Sequence, residues 1–162
     1  MTESNSQNKG RTNDFVCRRN FGRDHDCGID WLCLVVDSRQ KEKGSLQVNL
    51  MHGDCLELMK SIPDKSIDLV LTDPPYGTTA CKWDSIIPFE PMWKELKRIR
   101  KDNAAICLFG SEPFSSALRM SNIKEFKYDW YWNKNATSGF VNAKLKPMST
   151  METISIFSSG KT

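Results

Sequence analysis

Hydrophobic and polar positions follow a different period in each successive segment of the chain from Leu46 onward, and each change predicts an element. "LQVNL" reads as a short strand. "GDCLELMKSI" turns into a helix closed by Pro63, and "SIDLVLT" is a continuous apolar strand. In "PFEPMWKELKRIRKD" the apolar residues Phe89, Met92, Trp93, Leu96 and Ile99 fall on one face of a helix, with prolines only at its beginning. "NAAICLFG" predicts another buried strand, and "EPFSSALRMS" a helix with Phe114 and Leu118 inward and Met120 as a further inward candidate. "FKYDWYW" predicts an aromatic strand whose alternation assigns Trp130 to the core, and "METISIF" a last strand. Strand alternating with helix predicts an α/β sheet.

Residues 1–45 lack this regularity, mix charges of both signs and carry Gly10, Gly22, Gly28 and Gly44, so they read as an irregular N-terminal extension. The predicted division is 1–45 as extension and 46–162 as the functional domain. The order of elements brings four loops to the carboxyl edge of the sheet: at Asp54, at Asp73 to Tyr76, at Gly110 and after Trp132. Ligands of open α/β sheets gather at such edges.

The composition, 39% hydrophobic and 27% charged, is that of a globular protein. The run Trp31 to Val36 is too short to span a bilayer, and the polar start "MTESNSQNKGRTND" has no apolar leader core, so a cytoplasmic location is expected. The six cysteines are scattered, which predicts reduced thiols. Cys17, His25, Cys27 and Cys33 lack the close Cys-x-x-Cys spacing of a zinc knuckle, and no metal site is expected. A net charge of +3 conceals a basic second half with Lys94, Lys97, Arg98, Arg100, Lys101, Arg119, Lys124, Lys127, Lys134, Lys144 and Lys146. That excess suits nucleic acid, although Lys94, Lys97, Arg98 and Lys101 also read as a solvated helix face.

The segment "TDPPYG" demands a chemical explanation. Pro and Gly make ordinary turns, but four specified residues arise by chance in a chain of this size on the order of once in a thousand. An exocyclic amine of a nucleobase is a poor nucleophile because its lone pair is delocalised into the ring. Two acceptors at its two hydrogens draw the nitrogen toward a tetrahedral, more nucleophilic shape. Asp73 offers a carboxylate oxygen, and the carbonyl of Pro74, outside any strand ladder, offers the second. Tyr76 adds a flat face on which an extruded base stacks. Alignment and electrostatics then suffice, without an activated serine, cysteine or metal.

On these residues the chain resembles the amino-group DNA methyltransferases, which methylate adenine N6 or cytosine N4 with S-adenosylmethionine. "GDCLELMKSIPDKSIDLVLTDPPYG" is similar to the opening of the subgroup whose catalytic motif precedes its cofactor motif. "KYDWYWNKNATSGF" and "METISIF" resemble its later target-base region, so the likeness covers residues 46 to 157. The resemblance implies a partial Rossmann-like methyltransferase sheet with flanking helices. It implies Asp73, Pro74, Pro75 and Tyr76 as the catalytic set, with Asp54 and Asp73 toward S-adenosylmethionine. Trp132, Asn133, Lys134 and Lys144 would face the target base or DNA. Asp54 has a second reading, as the N-cap of the helix that follows. The Asp-Pro-Pro-Tyr form implies adenine more often than cytosine.

One departure matters. The family's Gly-rich turn, Phe-x-Gly-x-Gly, is absent, and "FSSGKT" is not a phosphate loop because Ser155 stands where its first Gly is needed. In the family's sheet the missing strands lie between those bearing Asp54 and Asp73. The expectation is therefore a chain without its own sheet centre, exposing an edge at Ile67 to Leu71 and requiring a second chain for the cofactor half. The competing expectation is an inactive remnant that binds DNA or a partner through its basic, aromatic half. Methylation of RNA or a protein amide ranks behind both.

Overall fold

The computed structural model describes residues 13–19, 31–37, 47–79, 84–139, 143–145 and 147–160. Its strands are β1 (Asn13–Arg19), β2 (Trp31–Asp37), β3 (Gln47–Gly53), β4 (Ile67–Thr72), β5 (Arg100–Gly110), β6 (Phe126–Ser138) and β7 (Ser149–Phe157). The helices are α1 (Cys55–Met59), α2 (Phe89–Ile99) and α3 (Phe114–Ser121). One mixed sheet runs in the order β3-β2-β1-β4-β5-β7-β6. β1 and β5 both pair parallel with β4, whereas β2 and β7 run against their neighbours. The α/β class predicted from the alternating pattern is the class observed.

The three helices share one core on one face of the sheet. Cys55 and Met59 of α1, Met92, Trp93, Leu96 and Ile99 of α2, and Phe114 and Leu118 of α3 pack with Val70, Ile106, Leu108 and Phe157 of the strands. The predicted stripe of α2 is buried at four of its five positions, and Phe89 packs partly buried against the same cluster. Burying one large apolar side chain contributes about 1.5–3 kcal/mol, so this stripe fixes the helix on the sheet. Trp93 packs on Phe157 with ring centroids 4.7 Å apart and donates its indole N–H to Ser121 Oγ at 2.7 Å. Arg98 ties α2 to α1 by donating to the Met59 and Ile62 carbonyls at 2.7 and 2.9 Å, besides its ion pairs with Asp64 and Glu95.

Several sequence expectations are corrected. Residues 13–19 and 31–37 are strands rather than irregular chain, and they fill the two sheet positions between β3 and β4. The expected open edge on β4 is consequently paired: Asp14, Phe15, Val16 and Cys17 lie opposite Leu69, Val70, Leu71 and Thr72. The physical reason lies in "WLCLVV", whose unbroken apolar run is the mark of a strand with neighbours on both sides. Met120 is 71% exposed and Trp130 56% exposed, so neither is core. A register shift between Phe126 and Tyr128 changes the phase of β6: Phe126 lies beside Phe157 in the core, whereas Tyr128, Trp130 and Trp132 stand opposite Ile156, Ile154 and Glu152. Cys55 and Cys107 are buried and outside any disulfide. Of the residues weighed and set aside as a zinc set, His25 and Cys27 lie outside the described residues. No helix among the described residues is long and apolar enough to cross a membrane.

Candidate active site

The carboxyl ends of β3, β4, β5 and β6 share one edge of the sheet, which follows from their common direction. β4 ends at Thr72, and Asp73, Pro74, Pro75 and Tyr76 follow without regular structure. Both prolines are buried, which fixes the backbone between the acid and the tyrosine. The Tyr76 hydroxyl donates to Asp73 Oδ1 in a short hydrogen bond. Among the described residues, nothing donates to the other Asp73 oxygen or to the Pro74 carbonyl.

Tyr76 is held from below as well. Its ring lies 5.2 Å from that of Phe114, tilted by 34°, and Phe114 in turn contacts Phe89. One ring face is therefore occupied by the core. Phe114 opens α3, directly after the Gly110 end of β5, so neighbouring strands place tyrosine and support side by side.

A residue to which the sequence pattern gave no prominence organises the same loop. Asp84 is 6% exposed. Its Oδ1 accepts from the Tyr76 and Gly77 amides, both at 3.0 Å, and its Oδ2 from the Thr78 and Thr79 amides at 2.9 and 2.7 Å. Burial opposes its charge, but the hydrogen bonds from Thr79, Gly77 and Thr78 outweigh that penalty and hold its pKa below the ordinary aspartate value. Gly77 has φ +66°, and a Cβ there would lie 2.9 Å from Ile86 Cγ1, so the loop needs glycine at this point.

The remaining predicted site residues divide. Asp54 is an N-cap: Oδ1 accepts from the Leu56 and Glu57 amides at 2.8 and 3.3 Å. It shares the edge with Asp73, but three strand spacings separate β3 from β4, about 14 Å at the usual spacing. Trp132 is half exposed and packs edge-on against Phe109, one residue before the end of β5. Asn133 is exposed. Lys134 is paired with Glu152 at 2.9 Å, and Lys144 lies exposed in the turn at 143–145. Because Gly110 stands opposite Thr153, the β6–β7 hairpin runs on past the edge with these residues on it.

The basic half is largely neutralised. Lys97, Arg98, Arg100, Lys101, Arg119 and Lys134 all form ion pairs with acids. Arg98, expected on a solvated helix face, is partly buried by its contacts. An excess of lysine and arginine in the sequence thus overstates the free positive surface.

Comparison with known proteins adds an independent line of observation. No family model matches the chain. The type II methyltransferase M.HinfI of Haemophilus influenzae is 31% identical over 113 residues, covering 52% of this chain and 31% of the relative. The type II methyltransferase M1.MboII of Moraxella bovis is 30% identical over 129 residues, covering 72% of this chain and 48% of the relative. The chain thus spans between about a third and about half the length of these curated relatives. Among solved structures, the PvuII DNA methyltransferase, cytosine-N4-specific, superimposes with a TM-score of 0.49 at 19% identity, covering 67% of this chain and 48% of that one. A Thermus thermophilus protein solved with S-adenosyl-L-methionine gives 0.48 at 19% identity, covering 67% and 52%.

Proposed function

We propose, on the premise that the chain is related to the type II DNA methyltransferases, that it carries the catalytic part of a site-specific DNA methyltransferase. Its substrate in this reading is the exocyclic amine of a base extruded from the duplex, with adenine N6 the favoured target. The observation that carries the reading is the pair of acceptors left at the end of β4: the second oxygen of Asp73 and the Pro74 carbonyl. They answer the two hydrogens of an amino group. As these accept, electron density returns to nitrogen, making it the nucleophile toward a methyl group that bound S-adenosylmethionine would supply. Positive charge then develops on nitrogen beside the Asp73 carboxylate, which stabilises it and holds the proton until release. The Tyr76 ring, packed against Phe114, stacks on the base in this reading.

S-adenosylmethionine supplies the methyl group when bound. In this reading the Asp54 oxygen that the helix cap leaves over would accept from its ammonium group, while Asp73, three strands away and turned to the target amine, would border the methyl group. The 162-residue sequence contains no Gly-x-Gly with which backbone approaches such a ligand closely, so this reading assigns that part of the pocket to residues outside it. Trp132, Asn133 and Lys144 on the projecting hairpin face the DNA in this reading, and Lys134 joins them by exchanging Glu152 for a phosphate.

The test is methyl transfer to DNA by the full chain, purified with any polypeptide that accompanies it, against Asp73→Ala. Transfer should fall by at least about 100-fold, the range of lost electrostatic groups in acyl and phosphoryl enzymes, with an unchanged melting curve. Full activity in that variant would sink the mechanism.

A further inference from the structure

The buried Asp84 carboxylate is unusual in its partners. Its two oxygens collect four consecutive backbone amides, from Tyr76 to Thr79, besides a side-chain hydrogen bond with Thr79. Four consecutive N–H groups converge on one point only if the chain curls around it. A carboxylate offers two acceptor oxygens, one for each pair of amides. No neutral side chain of the same size matches it, because an amide has a single acceptor oxygen and would turn its NH₂ toward two further donors. The acid is therefore selected by the loop's geometry.

That loop begins with the tyrosine bound to Asp73. Tyr76 is fixed at three points: its amide on Asp84 Oδ1, its ring on Phe114 and its hydroxyl on Asp73 Oδ1. The first acts on the backbone: the buried prolines fix the chain before Tyr76, and the Asp84 bonds fix it from Tyr76 onward. The Asp84 bonds also account for the left-handed Gly77, which turns the chain so that the next two amides reach Oδ2.

We propose that Asp84 is the positioning residue of the Asp73–Tyr76 loop, clamping four backbone amides so that the tyrosine stays in register with the acid. It touches neither base nor cofactor. The inference deepens the methyltransferase reading, and its test is chosen to give an answer without that reading.

The experiment compares the full chain with Asp84→Asn and Asp84→Ala by amide hydrogen exchange, resolved residue by residue. In the unaltered chain, the amides of Tyr76, Gly77, Thr78 and Thr79 should exchange at least about 100-fold more slowly than an unstructured peptide. Exchange at the peptide rate would overturn the proposal whether or not any variant folds. In Asp84→Asn these four amides should exchange at least tenfold faster while Ile106 to Leu108 of β5 keep their protection. Unchanged loop exchange in a folded variant would overturn it equally. Where the unaltered enzyme transfers methyl groups, Asp84→Asn should lower kcat at least tenfold and leave KM for S-adenosylmethionine within threefold. Retention of full kcat would refute a positioning role. Failure of the unaltered chain to transfer methyl groups counts against the methyltransferase reading alone, because the exchange measurement stands without it.

Discussion

The phenol of Tyr76 donates its hydrogen to Asp73, three residues earlier, so the two residues with the clearest chemistry in this chain are bonded to each other. One Asp73 oxygen is thereby committed, and among the described residues nothing donates to the other. The tyrosine has two separable roles, a ring that stacks and a hydroxyl that orients the acid. Tyr76→Phe keeps the ring on Phe114 and loses only the hydroxyl. A hydrogen bond to a charged group contributes about 1.5–3 kcal/mol, so kcat for methyl transfer should drop roughly 10- to 100-fold. Tyr76→Ala removes both roles and should drop further. Equal losses in the two variants would show that the hydroxyl alone matters.

A second prediction concerns Gly110 and Ser115. A Cβ on Gly110 would lie 2.5 Å from Ser115 Oγ, and Ser115 is fully buried with its hydroxyl unpaired among the described residues. Gly110→Ala should destabilise the fold by about 1–3 kcal/mol through overpacking. Ser115→Ala removes an unsatisfied buried oxygen and should be neutral or stabilising. In the double variant most of the Gly110→Ala cost should vanish, because the clashing atom is gone. Denaturant melts of the four proteins close this cycle; strictly additive effects would contradict the contact.

How much of this was legible beforehand depended on which atoms carry the information. The strands and helices from β3 onward follow from side-chain period, and Asp73 to Tyr76 stand out because side chains and prolines do the chemistry. Asp84 escaped notice because its partners are backbone amides, which any residue supplies. The phase of β6 escaped because one register shift after Phe126 reverses which aromatics face the core. β2 carried its signal openly in "WLCLVV", yet a run of that length serves a membrane argument and a central-strand argument alike until the neighbours are known.

The contrast between two tryptophans tests the corrected core. Trp93 is 5% exposed, stacked on Phe157 and hydrogen-bonded, whereas Trp130 is 56% exposed and contacts Tyr128 at 6.2 Å. Trp93→Ala should cost about 3–5 kcal/mol. Trp130→Ala should cost well under about 1.5 kcal/mol, the upper range of an aromatic pair contact. Thermal or urea unfolding reads both, and similar losses would restore Trp130 to the core.

Acid should act on the fold through Glu125. Arg100 is 5% exposed and donates to Glu125 at 2.7 Å; Lys97 lies 3.4 Å away and Asn122 donates at 3.0 Å. Burial works to raise the Glu125 pKa, but the Asn122 bond and the charges of Arg100 and Lys97 prevail and hold it below its ordinary value of 4.5. A carboxylate lowered by folding contributes stability at pH above its unfolded pKa, and that contribution drains away as pH falls through the folded pKa. Glu125→Gln should therefore be least stable relative to the unaltered chain near neutrality, by about 3 kcal/mol if the buried Arg100 is left uncompensated. The gap should begin to close at about pH 4.5 and narrow steadily below it. Asp84 and Glu112, whose pKa values are also lowered, contribute to the acid sensitivity of both proteins and cancel in the comparison. Urea unfolding of the pair across this range measures the difference directly, and a gap that stays constant with pH would mean that Glu125 contributes through its shape and not its charge.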